Sequence, residues 1–309
     1  MKVLSFGELL WDIIAGKAYI GGAPFNLACH LAGMGVKSTF ISAVGRDKLG
    51  REALRIAKKY GLDTRYITTN LNLPTGKVEV YVDQQGYPKY NIHKGVAWDQ
   101  IMLSKESKDK LLKETWDAFC FGTLAQRSAV NRDLLYELLS NLSCREMFYD
   151  VNLRQNFYQR EWIEQSLHFN TILKLNEEEA INISKLLFGK IYCREDIFQA
   201  LSSKYKLKIL CLTLGEKGSL VYEGDNCYSI PGVKTKVQDT VGSGDSYSAA
   251  FLFAFLSGAG AGKSAIFANQ VGAFVASRSG AIPEYSAQLR KQIRNFWHQQ
   301  GKIYLKKIT

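Results

Sequence analysis

Apolar and polar positions along the chain switch repeatedly between a short-run pattern and a helical spacing. Val3-Leu4-Ser5-Phe6-Gly7 is a short apolar run closed by glycine, which predicts a buried strand. After Gly21-Gly22-Ala23-Pro24-Phe25-Asn26, a tight loop, Leu27 to Ala32 takes a helical spacing that Gly33 and Gly35 end. Ser38 to Val44 predicts the next strand, and Leu49 to Tyr60 the next helix, stopped at Gly61. Further strands are expected at 118–122, 147–151, 171–175 and 209–213, with a helix at 132–142. A hairpin follows through 219–221 and 227–230, and helices at 246–256 and 263–277 close the functional part. Alternating strands and helices predict a three-layer α/β/α core around a mostly parallel sheet.

One stretch breaks that rhythm. Lys77-Val78-Glu79-Val80-Tyr81-Val82 alternates strictly, Gln84-Gln85-Gly86 reads as a turn, and 87–93 is extended again. A hairpin with one wet face does not belong inside a parallel sheet. It predicts a small β-sheet lid, built from about 13–20 and 74–98, on a single domain spanning 1–309.

Composition narrows the reading. Apolar residues make up 46% of the chain, enough for a large core and too many for disorder. The net charge of +11 would suit nucleic acid, yet the basic residues are spread out, and no zinc-finger or aromatic RNA-binding pattern accompanies them. No nucleic-acid partner is therefore expected. The six cysteines stand apart without a Cys-x-x-Cys pair, which reads as reduced, buried thiols. The most apolar stretch, 249–256, is too short to cross a bilayer, and residues 2–11 read as a strand and its exit rather than a leader. A cytoplasmic protein with no membrane partner is expected.

The strongest chemical signal is Asp239-Thr240-Val241-Gly242-Ser243-Gly244-Asp245, running straight into a helix. The glycines allow close backbone approach, and the free N–H groups of the helix start form an anion site. Asp245 beside that site can take a proton from a hydroxyl while the N–H groups receive phosphoryl charge. It can also simply complement the helix dipole. Asp12 alone reads equally as a cap at a strand exit, Asn26 as a helix N-cap, and Arg154 as a surface side chain. Gly258-Ala259-Gly260-Ala261-Gly262-Lys263-Ser264 imitates a P-loop. Its first glycine position is Ser257, however, and a helix precedes it where a strand is required.

Asp-Thr-x-Gly-x-Gly-Asp resembles the C-terminal signature of the PfkB, ribokinase-like carbohydrate kinases, and the resemblance extends over essentially the whole chain. It implies that Asp245 is the catalytic base and that Gly242, Ser243 and Gly244 form the anion hole. Gly21, Gly22, Asn26 and Asp12 resemble the sugar-binding elements, and Asp150-Val151-Asn152-Leu153-Arg154 the motif that places Arg154 on phosphate or sugar. Asn176 to Glu179 resembles the Asn-x-x-Glu motif, with Glu179 ordering Mg²⁺ through water. Thr213, Gly215 and Gly218 match the nucleotide loop, and Asn269 and Ala273 the adenine wall. Asp239 and the Val241 carbonyl stand where many members bind a monovalent cation such as K⁺.

The similarity is nearest to bacterial fructokinases, through Pro74-Thr75-Gly76, Tyr90 to Asp99, and Cys120 to Ser128. It implies ATP and Mg²⁺ as cofactors and D-fructose as acceptor, with ribose, 2-keto-3-deoxygluconate, a nucleoside or tagatose as alternatives. A non-catalytic sugar-binding regulator is a further alternative. Many relatives carry Glu where Lys94 stands, a charge reversal that matters only if the position faces the sugar. An exposed lid hairpin invites pairing, so a homodimer is expected.

Overall fold

The computed structural model describes residues 1–14, 16–82 and 88–308, with side chains left aside at 80–82, 88–90 and 299–308. The strands are β1 (Lys2–Phe6), β2 (Leu10–Ile14), β3 (Lys17–Gly21), β4 (Lys37–Gly45), β5 (Ile67–Asn70), β6 (Gly76–Val82) and β7 (Pro88–Ile92). They continue as β8 (Thr115–Gly122), β9 (Ser143–Asp150), β10 (Ile172–Asn176), β11 (Ile209–Thr213), β12 (Gly218–Glu223) and β13 (Asn226–Pro231). The helices are α1 (Ala23–Gly33), α2 (Lys48–Lys59), α3 (Lys105–Lys113), α4 (Ala129–Asn141) and α5 (Arg160–Phe169). After them come α6 (Glu177–Phe188), α7 (Ile197–Ser202), α8 (Ser243–Leu256), α9 (Ala261–Ala276) and α10 (Ala287–Ile308).

Nine strands form the main sheet in the order β13-β12-β11-β10-β9-β8-β1-β4-β5. From β11 to β5 every pairing is parallel, while β12 and β13 add an antiparallel edge. Parallel strands need crossovers, and these put helices on both faces. One face packs Phe119, Phe121, Tyr149 and Leu173 beneath α4, α5 and α6. The other packs Phe148, Ile172 and Cys211 beneath α8 and α9. Helix α8 is apolar all round, with Ala249 to Ala254 inaccessible to solvent, as a helix sandwiched between the sheet and other helices must be.

Four strands, β3-β2-β6-β7, form a separate small sheet. The expected hairpin is there, with Val78 opposite Ile92; its expected turn at 84–86 lies outside the described residues. The strand exit expected at Trp11 and Asp12 is instead a second strand. Asp12 sits in the middle of β2, opposite Tyr19 of β3 and Val78 of β6. The small sheet therefore begins at Leu10 rather than 13, because Leu10 and Val78 share an apolar cluster with Ile92 and Trp98. The P-loop imitation is the end of α8 and the start of α9, with Gly258 and Gly260 at φ 86° and 76°.

Candidate active site

A continuous cleft of about 1550 Å³ runs along the C-terminal edge of the main sheet and under the small sheet. Open parallel α/β sheets hold ligands at this edge, because the strand-to-helix loops converge there. Of the sequence-predicted residues, Asp12, Gly22, Asn26, Arg154, Asn176, Thr213, Gly215 and Gly218 line it. So do Asp239, Val241, Gly242, Ser243, Gly244, Asp245, Asn269 and Ala273.

Asp245 lies in the first turn of α8, half-buried at the cleft floor. Asn26 of α1 donates from Nδ2 to Asp245 Oδ2 at 2.8 Å, across 219 residues of sequence. The other amide atom, Asn26 Oδ1, is buried and has no hydrogen-bond partner among the described residues. Burial, and secondarily the charge of Asp150, pushes the Asp245 carboxyl up to about 6; the Asn26 hydrogen bond, Lys174 and Arg154 pull the other way.

Gly242 caps α8 at φ 76°, and a Cβ there would stand 2.7 Å from the Ala281 backbone, so no other residue fits. The first N–H groups of a helix have no partners within it. Here the Ser243 N–H is taken by the Thr240 carbonyl at 3.2 Å, and Ser243 Oγ donates to Gly272 O. The Gly244 and Asp245 N–H groups remain free among the described residues, so the anion site is narrower than the motif suggests.

Beside Asn26, Gly22 at φ 113° leaves no room for a side chain against the Glu8 carbonyl. Gly21 does not line the cleft. It makes space for Asp12, whose Oδ2 would lie 2.7 Å from a Cβ at that position. Burial raises Asp12 to about 6, with Arg154 opposing. Sequence reasoning missed Glu8, which is buried beside the cleft and raised by burial to about 7. Its place right after a buried strand and glycine was the available signal. Arg154 is exposed; its carbonyl accepts the Phe157 N–H at 3.1 Å, while its guanidinium makes no hydrogen bond among the described residues and is open to a ligand. Its loop holds two non-glycine residues at positive φ, Asn152 (42°) and Gln155 (49°), which turn the chain back toward the cleft. Lys94 is exposed, outside the cleft, with its ammonium 5.3 Å above the Phe157 ring, so its charge does not face a sugar there.

Glu179 sits behind the cleft. Its Oε2 accepts the Asn176 N–H at 2.8 Å and its Oε1 the Leu153 N–H at 3.1 Å, while Asn176 Oδ1 accepts the Glu179 N–H. The pair is a capping box that starts α6. Among the described residues no group of three or more His, Cys, Asp or Glu is placed to cage a metal. Asp239 accepts N–H groups from Val241 at 3.0 Å and Gly280 at 3.2 Å. Asn269 is committed to Ser219 and to the carbonyls of Ile230 and Pro231, so it shapes the far wall rather than offering free donors. Lys174, also missed, lies on the cleft floor; a lysine inside a buried strand was its sequence signal.

A mostly parallel sheet with a small second sheet over its ligand edge defines a ribokinase-like kinase fold. The model of the pfkB family of carbohydrate kinases matches residues 3–288, and the chain belongs to that family. A probable fructokinase-5 from Arabidopsis thaliana is 27% identical over 307 residues, covering 91% of this chain and 93% of the relative. A sugar kinase from Pyrococcus horikoshii, solved in complex with ATP, superposes with a TM-score of 0.81 at 25% identity, over 95% of this chain and 99% of that one. A Vibrio cholerae fructokinase, solved with fructose, ADP and calcium ion, superposes at 0.79 and 19% identity, covering 96% and 98%. The protein is thus a sugar kinase, a phosphotransferase with an alcohol acceptor. No helix among the described residues is long and apolar enough to cross a membrane.

Proposed function

We propose that the protein transfers the γ-phosphoryl group of ATP to the primary hydroxyl of D-fructose, giving fructose 6-phosphate. The observation that carries the reading is the Asn26–Asp245 pair at the free N–H groups of α8. Asp245 takes the hydroxyl proton as the oxygen attacks phosphorus, and the bond to the ADP oxygen breaks in line. The Gly244 and Asp245 N–H groups receive charge on the phosphoryl in flight. Asn26 Oδ1, without a hydrogen-bond partner among the described residues, is suited to accept from a sugar hydroxyl, as is Asp12. Glu8, Asp12 and Asp245 crowd three carboxyls around this end of the cleft, which favours a neutral sugar over a sugar acid. That contrast ranks fructose above 2-keto-3-deoxygluconate. The relatives named as fructokinases support the same choice.

ATP would lie along Thr213, Gly215 and Gly218, with its adenine toward Ala273. Mg²⁺ keeps much of its water and rides on substrate phosphates, so it needs no cage of protein ligands. Asn176, and Glu179 through water, would hold that hydrated ion, which when bound would neutralise phosphate charge. Asp239 and the Val241 carbonyl would hold a monovalent cation such as K⁺. The small sheet, acting as a lid, would exclude water from the sugar.

The test is ADP release with Mg-ATP and a panel of neutral and acidic sugars, run beside Asp245→Asn. Fructose-dependent turnover that falls by roughly 10²–10⁴-fold in the variant is expected. Near-wild-type turnover in the variant would remove Asp245 as base. Faster turnover of another sugar would move the substrate and leave the chemistry.

A further inference from the structure

A buried ionic chain lies beneath the Gly242–Gly244 turn. Lys174 of β10 is 6% exposed, and its Nζ lies 3.0 Å from Asp150 Oδ1 at the end of β9. Asp150 Oδ2 in turn accepts from Ser248 Oγ of α8 at 2.8 Å. Ser248 is one turn beyond Asp245 on the same helix face. A Cβ built on Gly244 would stand 3.5 Å from Lys174 Nζ, so the ammonium rests against the turn with nothing between.

That place is unfavourable for a cation on two counts. It is desolvated, and it adjoins the positive end of a helix. The charged and titratable groups around it are Asp150 on β9, Glu179 on α6, Asp245 on α8 and the Cys211 thiol on β11. Burial opposes the ammonium, but Asp150 and Glu179 hold its pKa above the ordinary lysine value, so it stays charged. An ammonium has three donors, and Asp150 is the acceptor Lys174 finds among the described residues. Lys174 is also one of the residues lining the cleft, with its Nζ against the Gly244 turn, whereas Asp150 behind it does not line the cleft.

We propose that Lys174 belongs to the phosphoryl-transfer machinery: anchored by Asp150, it sets a fixed positive charge beside the Gly244 and Asp245 N–H groups, where the transferring phosphoryl arrives. Asp150 is then a positioning residue, joining that charge through Ser248 to the helix that carries the base. The inference rests on the kinase reading above and extends it to two residues outside the predicted site.

Lys174→Met alone strands a buried carboxylate and is expected to melt early. The deciding variant is Lys174→Met/Asp150→Asn, which removes both charges while the amide at 150 still accepts from Ser248. Melting, kcat with Mg-ATP and fructose, and calorimetric affinities for AMP-PNP and ADP are compared with wild type. The double variant is expected to melt near wild type and lose roughly 10²-fold in kcat. Its AMP-PNP affinity is expected to weaken about tenfold more than its ADP affinity, a loss on the order of 1.4 kcal/mol specific to the γ-phosphate. Wild-type kcat together with an unchanged AMP-PNP to ADP ratio would overturn the inference. If wild type itself fails to turn over fructose, the substrate proposal falls, and the affinity ratio still decides the role of Lys174.

Discussion

Asp245 concentrates the conflict between stability and chemistry in one side chain. Its carboxyl is raised to about 6 from an ordinary 3.8, so above pH 6 the folded protein carries a partly desolvated charge that the unfolded chain solvates freely. Asp245→Asn should therefore raise the melting temperature at pH 7.5, by a free energy on the order of 1–2 kcal/mol after screening at this half-buried position. The sign is that of a raised carboxyl: the gain is present above the folded value and disappears as pH falls toward 4. Melting scans at pH 7.5 and 4.5 check this; equal gains at both would mean that the charge is not the cause. The same protonation bears on activity under the proposed mechanism, in which Asp245 acts as base only when ionised. The kcat/KM for the sugar should fall as pH drops through about 6, and more steeply than one group requires, because Asp12 titrates there too. Local sequence placed Gly242 and Asp245 at a helix start, because a turn and a helix start are specified by neighbouring residues. Lys174 and Glu8 left only a weak local signal, an ionisable residue in or just after a buried strand, because the groups packed against them lie more than ten residues away in sequence.

Elements held in place by single polar contacts make the next scale testable. His30 of α1 is fully buried, with Nε2 2.9 Å from the Ala281 carbonyl and Nδ1 2.7 Å from the Tyr285 hydroxyl. A carbonyl only accepts, so Nε2 carries the proton and the Tyr285 hydroxyl donates to Nδ1. This pair fixes α1, which carries Asn26, against the loop whose Ala281 packs on Gly242. Tyr285→Phe leaves a buried nitrogen unpaired and should destabilise by about 1–3 kcal/mol, read by denaturant titration. Burial lowers His30 from 6.5 to about 4. The folded protein thus resists protonation, and this group's stability is lost as pH falls from 6.5 toward 4. His30→Gln should flatten that slope. Long, strongly patterned elements such as β4, α2, α8 and α9 follow directly from their apolar spacing. The polar helix α3, Lys-Glu-Ser-Lys-Asp-Lys-Leu-Leu-Lys, has too few apolar positions to announce itself, and it exists because Leu111 is buried under Trp116 and its neighbours.

Across the whole molecule, the joint between the small sheet and the main body is a buried arginine. Arg127, in the turn after β8, holds Asp99 at 2.7 and 2.9 Å and the His93 carbonyl at the end of β7. Its guanidinium lies 4.1 Å from the Trp98 ring centre and 4.7 Å from that of Phe157. Arg127→Met removes the cation and strands Asp99, which should cost about 3–5 kcal/mol. Because β6 and β7 contribute Val78 and Ile92 to the cleft beside Asp12, where the sugar is proposed to bind, KM for the sugar should rise more than KM for ATP. Equal changes in both would show that the joint does not govern the sugar end specifically.

The alternation of elements, the hairpin outside the main sheet and the motif around Asp245 were all legible in the chain. Each rests on periodicity, turn chemistry or a helix start, and these act over a few residues. The strand at Leu10–Ile14, the commitment of Asn269 to the wall and the Lys174–Asp150–Ser248 chain were settled only in three dimensions. In each, the deciding energy is a buried hydrogen bond, ion pair or apolar contact whose value depends on what surrounds it. Charge and hydrogen-bond capacity can be read from a residue's name, but whether they are spent on the fold or left open to a ligand depends on partners that folding brings together.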